Sequence, residues 1–266
     1  MGNMEQIGED SGFWKKIPQA IINFGNNKPE LFEEKGTQEK RKAALEVING
    51  AFALVEKKYG TGIGDGESPK FYHNLNHTKS AVEAVRKIAE LAFENGNLVA
   101  SEVVLAEIAA AGHDIEQDLG SGENEKESAR ETAIDMESTH EFAIPEVEKV
   151  ERMISATKVS FEGGVMKQSA TEEYLTQIIA DADLSALGQP PEKYWAAAQA
   201  LLKEMKNTET PSLEDELAWA RGQVPFLSNH QFYTDEAKKL FPHKEANIAF
   251  AKEQISRLEA EISPVK

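Results

Sequence analysis

Two histidines spaced four residues apart stand in the stretch YHNLNHT, which covers residues 72–78. If this stretch opens a helix, His73 and His77 lie one turn apart and project their imidazoles from the same face. Imidazole nitrogens are frequent ligands of zinc and of divalent transition metals. The spacing therefore predicts that this segment supplies ligands to a metal ion.

Two later segments place a further imidazole and three carboxylates where apolar helices are predicted to end. His113 and Asp114 follow the apolar run LVASEVVLAEIAAAG, which predicts a buried central helix. Asp181 and Asp183 close another apolar stretch. An ionised aspartate at a buried helix C-terminus is unfavourable, because the helix dipole is negative there and burial removes solvent. A bound cation removes that objection, so we expect three segments to converge on one metal site. An exposed position at the helix end is the alternative for Asp181.

The donor set predicts a hydrolytic reaction on a phosphate ester. Imidazoles and carboxylates leave open positions on a divalent ion, and water bound there has its pKa lowered towards neutrality, which makes it a hydroxide nucleophile. Histidine side chains ordinarily titrate near neutral pH, so we expect His73 to protonate the departing alkoxide. Lys158 and Arg221 are candidates for neutralising phosphoryl oxygens, and an ordinary surface or helix-terminal cation is the alternative for both.

The elements that must position these residues are predicted to be helices. Apolar residues recur at helical spacing over residues 39–59 and 81–92, and Gly96 ends the second helix. Further helices are predicted over residues 125–139, 144–158, 172–182, 192–205, 213–226 and 244–262. Residues 161–170 are predicted as a loop, without any alternating strand pattern. The fold class is predicted to be all-α, with a single multi-helix bundle over residues 39–262 and a short, partly flexible N-terminal extension over residues 1–38.

Composition excludes several classes of protein and site. The 266-residue chain has a net charge of −17, which argues against nonspecific nucleic-acid or anionic-membrane binding. It has no cysteine, which excludes disulfides, thiolate metal sites and thiol nucleophiles. We expect no signal peptide and no membrane span, and therefore a cytoplasmic protein. The glycine-rich residues 60–68 lack the features of a phosphate loop and predict a connector. The remaining histidines, His140, His230 and His243, are predicted to be core residues.

The order H…HD…D, here His77, His113-Asp114 and Asp183, resembles the HD superfamily of metal-dependent phosphohydrolases. YHNLNHT and the later ADLS are similar to elements of cyclic-nucleotide phosphodiesterases. The likeness is closer to a family of predicted HD phosphohydrolases with the motifs YHNxxH, HDxxxD, NExxSA, ATK and DADLxxLG. These motifs match residues 72–77, 113–118, 124–129, 156–158 and 181–188, and the likeness extends over residues 43–260.

The resemblance implies a role for each matching residue. The implied ligands of a divalent ion (Mg, Mn, Fe, Co, Ni or Zn) are His77, His113, Asp114 and Asp183. His73 is implied as the general acid, and Asp118 as the carboxylate that orients the attacking water. Candidate substrate or outer-shell contacts are Asn74, Glu125, Lys158, Asp181 and Arg221.

Two departures from the family pattern keep an alternative open. Gln117 stands where guanosine-tetraphosphate hydrolases have the first of two acidic residues, and Ser160 stands where many relatives have a histidine. Both favour a ligand-sensing module that kept the metal but lost turnover. A di-iron oxygenase is a third reading, but it needs more histidines than the pattern places. The expected partner is a small phosphorylated substrate, most simply a nucleotide, and Trp14 in the extension is a candidate contact of a homodimer.

Overall fold

The computed structural model describes residues 35–162, 165–170 and 172–263, so the predicted extension lies almost wholly outside the described residues. The all-α prediction is confirmed, since the described residues form ten α-helices and two short strands. The helices are α1 (Lys35–Tyr59), α2 (Leu75–Glu94), α3 (Ala100–Gly112), α4 (Glu123–Ser138), α5 (Ile144–Ala156), α6 (Tyr174–Asp183), α7 (Pro191–Lys206), α8 (Leu213–Asn229), α9 (Asp235–Leu240) and α10 (Lys244–Ile262). Across these ranges, no helix is both long and apolar enough to cross a membrane.

The predicted loop over residues 161–170 is wrong for residues 161–162 and 165–168, which belong to two paired β-strands. Strand β1 (Val159–Glu162) pairs antiparallel with β2 (Val165–Gln168), and Val159 lies opposite Gln168. Strands of four residues are too short for alternation to stand out against neighbouring helical patterns. The sequence signal was the Gly-Gly dipeptide between the two runs, which is typical of a two-residue hairpin turn.

Helix α3 is the centre of the main hydrophobic core, as predicted from its apolar run. It contacts α1, α2, α5 and α6, and its residues from Val103 to Gly112 are all buried. Its last turn is built from small residues, which allow close packing of neighbouring helices. A Cβ atom on Gly112 would lie 2.1 Å from Thr132 Oγ1, so glycine is required for α4 to pack this closely. The tight packing holds the residue that follows, His113, inside the core with 1% of its surface exposed.

A second hydrophobic cluster joins α7 and α8 to the short 3₁₀ helix that follows α6 (Ser185–Gly188). Its buried members are Leu187, Tyr194, Ala198 and Leu227. Helix α10 packs along α8 and also contacts α7. The α7–α8 pair therefore has its own apolar support beside the main bundle.

Of the three histidines predicted to be core residues, only His230 is buried. His140 and His243 are exposed, so the core prediction is wrong for these two. The His230 ring is 2% exposed, packs edge-on against Phe232, and its Nε2 atom has no hydrogen-bond partner. Burial, with a smaller contribution from the charge of Lys244, lowers the pKa of His230 to about 4. The ring is therefore neutral in the folded protein at neutral pH.

The low pKa of His230 predicts a loss of stability in mild acid. An unfolded histidine takes up a proton near its ordinary pKa of about 6.5, so stability is lost as the pH falls from there towards about 4. Between pH 7.5 and pH 5 the free energy of unfolding should fall by about 2 kcal/mol more in the native sequence than in His230→Leu. Urea unfolding of both proteins at both pH values measures the difference. His243→Leu, at an exposed position, is the control, and equal pH dependence in the native protein and His230→Leu would contradict the prediction.

Candidate metal centre

The segment that carries the first two histidines is fixed by the cap of α2. The helix begins at Leu75, and Asn74 is its N-cap, accepting the backbone N–H groups of Asn76 at 2.9 Å and His77 at 3.4 Å. His73 therefore precedes the helix, and the prediction that both imidazoles share one helical face is wrong. Their rings nevertheless approach each other, with centroids 5.7 Å apart. Asn74 acts here as a positioning residue for His77.

The glycine-rich connector holds the same segment from outside. The carbonyl of Gly60 accepts the N–H of Leu75 at 3.0 Å, and the Asn76 amide donates to the carbonyl of Thr61 at 2.6 Å. Gly62 has a φ of +90°, and a Cβ atom there would lie 3.0 Å from the Asn74 side chain. These contacts show that the connector stabilises the start of α2.

The four predicted ligands are brought together by three separate helices. His77 Nε2 lies 3.3 Å from Asp114 Oδ2 and 3.2 Å from Asp183 Oδ1. His113 Nε2 lies 3.2 Å from Asp114 Oδ2 and 3.5 Å from Asp183 Oδ1. The two imidazole Nε2 atoms are 3.3 Å apart. Ligand atoms of His77, His113 and Asp114 all lie within 4.8 Å of one another, which is compact enough for one ion.

The hydrogen bonds around this cluster leave one of its inward-facing atoms, Asp114 Oδ2, without a partner. His113 Nδ1 donates to the Ala110 carbonyl at 2.8 Å, which leaves the lone pair of a neutral ring on Nε2. Asp114 Oδ1 accepts from the Gln117 side chain at 2.7 Å, whereas Oδ2 is buried without a hydrogen-bond partner. A buried carboxylate oxygen without a partner is costly. A divalent cation coordinated by these nitrogen and oxygen atoms would satisfy it, so the residues fit a metal site.

Charge within the cluster is strongly coupled. Burial by itself favours a neutral imidazole at His113, but the carboxylates of Asp114 and Asp183 outweigh burial and raise the pKa of His113 well above its ordinary value. Burial likewise favours neutral carboxyl groups, yet the adjacent imidazoles hold the pKa of Asp114 and of Asp183 below the usual range. Protons and a cation therefore compete for the same nitrogen atoms.

His73 is held beside the cluster by Glu204 of α7. The His73 Nδ1 atom lies 2.5 Å from Glu204 Oε1, and Glu204 Oε2 accepts the backbone N–H groups of Tyr72 at 2.8 Å and His73 at 3.0 Å. Burial by itself lowers the pKa of His73, but the hydrogen bond to Glu204 and the charges of Asp114, Glu204 and Asp183 raise it above the ordinary value. The protonated form of the ring is therefore stabilised beside the cluster.

Two predicted aspartates lie elsewhere. Asp118 is partly exposed, pairs with Lys70 at 2.8 Å and lines neither cavity described below. Asp181 is fully buried, so the alternative of an exposed position is wrong for it. Its carboxylate accepts from the backbone of Tyr233 and from the backbone and hydroxyl of Thr234, at 2.7 to 2.8 Å. Asp181 thereby joins the end of α6 to the start of α9.

The residues predicted to contact the substrate or the outer shell of the metal site also lie in different parts of the structure. Arg221 pairs with Glu259 at 2.6 Å on the surface, and its side chain lines neither cavity. Lys158 packs over Gly122, where a Cβ atom would lie 3.0 Å from its Nζ atom. Glu125 lines the larger cavity, but its carboxylate accepts the N–H of Gly122 and so caps α4.

Two cavities border the cluster and share the side chain of Asp183. The smaller, of about 420 Å³, is lined by His77, by the glycine connector and by polar side chains of α2, and Lys193 of α7 also lines it. The larger, of about 630 Å³, is lined by His73, Asp114 and the facing sides of α7 and α8. Both volumes are within the usual range for small-molecule sites.

Several residues at this site were missed or assigned differently from the sequence. Glu204 lies in the amphipathic helix α7 without a motif around it, and only the fold brings it to His73. Gln117 was interpreted as a lost acidic residue, yet its amide holds the Asp114 carboxylate. Trp219 and Lys193 line the cavities from helices that carry no recognisable functional motif.

No family model matches this sequence, and no curated protein matches it significantly. The interpretation of the site therefore depends on the geometry of the described residues.

Proposed function

We propose that the protein is a metal-dependent phosphohydrolase that cleaves the ester of a small phosphorylated molecule. The observation that supports this most directly is the buried Asp114 Oδ2 atom, which has no hydrogen bond and lies 3.2 and 3.3 Å from two imidazole nitrogens. His77, His113, Asp114 and Asp183 would hold the ion. The resemblance of these residues to the HD pattern supports the same conclusion.

The chain's own residues would divide the chemistry between them. A divalent cation, when bound, supplies Lewis-acid chemistry: it acidifies water and neutralises charge on a phosphoryl group. Gln117 and the Ala110 carbonyl keep Asp114 and His113 oriented. His73 lines the larger cavity beside Asp114 and, with Glu204 supporting its proton, would donate that proton to the leaving oxygen. Lys193, which lines the smaller cavity, is placed to attract the anionic substrate.

Metal reconstitution tests this proposal. Protein stripped with a chelator should bind about one divalent ion per chain and should hydrolyse p-nitrophenyl phosphate or bis-p-nitrophenyl phosphate only after Mn²⁺, Mg²⁺ or Co²⁺ is restored. Elemental analysis and release of p-nitrophenol provide the two measurements. Stoichiometric metal binding without turnover on any phosphate ester would contradict the proposal and would indicate the ligand-sensing alternative.

A further inference from the structure

The larger cavity is mainly apolar and is continuous with the metal cluster. Asp114, Asp183 and His73 line it at the cluster, and α7 and α8 provide half of the other lining residues. The apolar side chains that α7 and α8 contribute to the wall are Tyr194, Ala197, Ala198, Leu201, Met205, Ala218, Trp219 and Phe226. A group attached to a phosphate at the cluster would therefore enter apolar surroundings.

The charge of the same wall disfavours a polyanionic group. Among the described residues that line this cavity there is no lysine or arginine, whereas Asp114, Glu125 and Asp183 are acidic. A chain of phosphates requires cations or backbone donors to offset its charge. The wall does contain polar groups that suit an uncharged ligand. They are Gln117, Ser121, Asn124, Thr157 and Gln223.

We infer that the substrate is a phosphate ester of an uncharged, mainly apolar alcohol, either alkyl or aryl, and that this alcohol portion occupies the larger cavity. The inference rests on the proposed phosphohydrolase function and narrows its substrate class. Mononucleotides and sugar phosphates, which carry several polar groups, match this wall less well.

Binding of phosphonates tests the substrate class without requiring turnover. Phosphonates resist hydrolysis, so the affinities of methylphosphonate and octylphosphonate for the metal-loaded protein can be measured by calorimetry. Because each buried methylene group contributes up to about fourfold, octylphosphonate should bind at least about tenfold more tightly even when only part of the chain is buried. Equal affinity of the two phosphonates, or tighter binding of ribose 5-phosphate than of octylphosphonate, would overturn the inference.

Gly222 allows the cavity to be filled with little disturbance of the fold. It lies on α8 and lines the cavity, and a Cβ atom added there would meet nothing within 4 Å. Replacement of glycine within a helix also removes an unfavourable residue. Gly222→Phe should therefore reduce octylphosphonate affinity about tenfold or more and leave methylphosphonate affinity within about twofold. Ser228→Phe, at an exposed position of the same helix outside both cavities, is the matched control and should change neither affinity.

The outcomes separate this inference from the proposed function. Selective loss of octylphosphonate binding in Gly222→Phe supports the apolar site even if no ester is hydrolysed, a result that would remove only the phosphohydrolase proposal. Hydrolysis that is equally efficient for methyl, butyl and octyl phosphate, whose alkoxide leaving groups are similar, would keep the phosphohydrolase proposal and remove the apolar site. Unchanged octylphosphonate binding in Gly222→Phe would also overturn the inference.

Discussion

Replacement of Asp114 with alanine is expected to abolish stoichiometric metal binding and to lower phosphate-ester hydrolysis by at least about 100-fold. Loss of an outer partner of a metal ligand typically costs 10- to 100-fold, and removal of a ligand itself should cost at least as much. The change deletes the carboxylate oxygen that lies 3.2 and 3.3 Å from the two imidazoles. It leaves the paired nitrogens, 3.3 Å apart, without an anionic partner on this side. Elemental analysis and initial rates measure the two effects.

Two further variants test whether the effect of Asp114→Ala is specific to the proposed metal site. Asp235→Ala removes a carboxylate whose side chain is 93% exposed, and it should leave both metal content and activity unchanged. Gln117→Leu removes the amide that donates to Asp114 Oδ1, and it should weaken metal binding by about 10- to 100-fold without removing a ligand. A folded Asp114→Ala protein that retained its metal and full activity would show that the cluster has been assigned incorrectly.

Replacement of His73 with alanine is expected to lower the hydrolysis of an alkyl phosphate by about 100-fold or more, with metal content unchanged. An alkoxide is a poor leaving group and needs a proton, which the Glu204-paired ring of His73 is placed to donate. A p-nitrophenolate leaves without protonation, so the loss on p-nitrophenyl phosphate should be less than about threefold. Comparing the rates of His73→Ala on the two esters therefore measures how much His73 contributes by protonating the leaving group.

The Glu204→Gln substitution distinguishes two roles of Glu204, which are stabilising the proton on His73 and positioning the His73 backbone. An amide can still accept the backbone N–H groups of Tyr72 and His73, but it no longer stabilises the protonated ring. The pKa of His73 should therefore fall. As the pH is raised, alkyl-ester hydrolysis by Glu204→Gln should then begin to decline at a lower pH than hydrolysis by the native protein, because His73 loses its proton earlier. If His73→Ala slowed both esters equally, the residue would be needed for positioning rather than for proton donation.

Sequence periodicity was sufficient to predict the helices that build the site. The apolar run before His113 predicts a helix buried on all sides, and α3 occupies that position in the described residues. The proximity of His77, His113, Asp114 and Asp183 could be predicted because a buried aspartate at a helix end is unfavourable without a cation, and because the HD pattern joins these four residues. The structure brings these four side chains together.

The misjudged residues depend on packing that local sequence does not encode. His73 was placed inside the helix, but the Asn74 side chain accepts two N–H groups and moves the helix start to Leu75. Asp181 is buried because Tyr233 and Thr234 return to it from more than fifty residues away. Glu204 reaches His73 across 131 residues, and residue periodicity carries no information about such contacts.

The separation of the main core from the α7–α8 cluster affects which substitutions this protein can accept during evolution. The proposed metal ligands are anchored on helices of the main core, whereas most of the apolar cavity wall belongs to α7 and α8, which have a cluster of their own. Changes on those two helices can therefore accumulate without moving His113 or Asp114. Glu204 is the exception to this independence, because it stands on α7 and holds His73. Directed evolution towards new esters should accordingly randomise the wall and leave position 204 untouched.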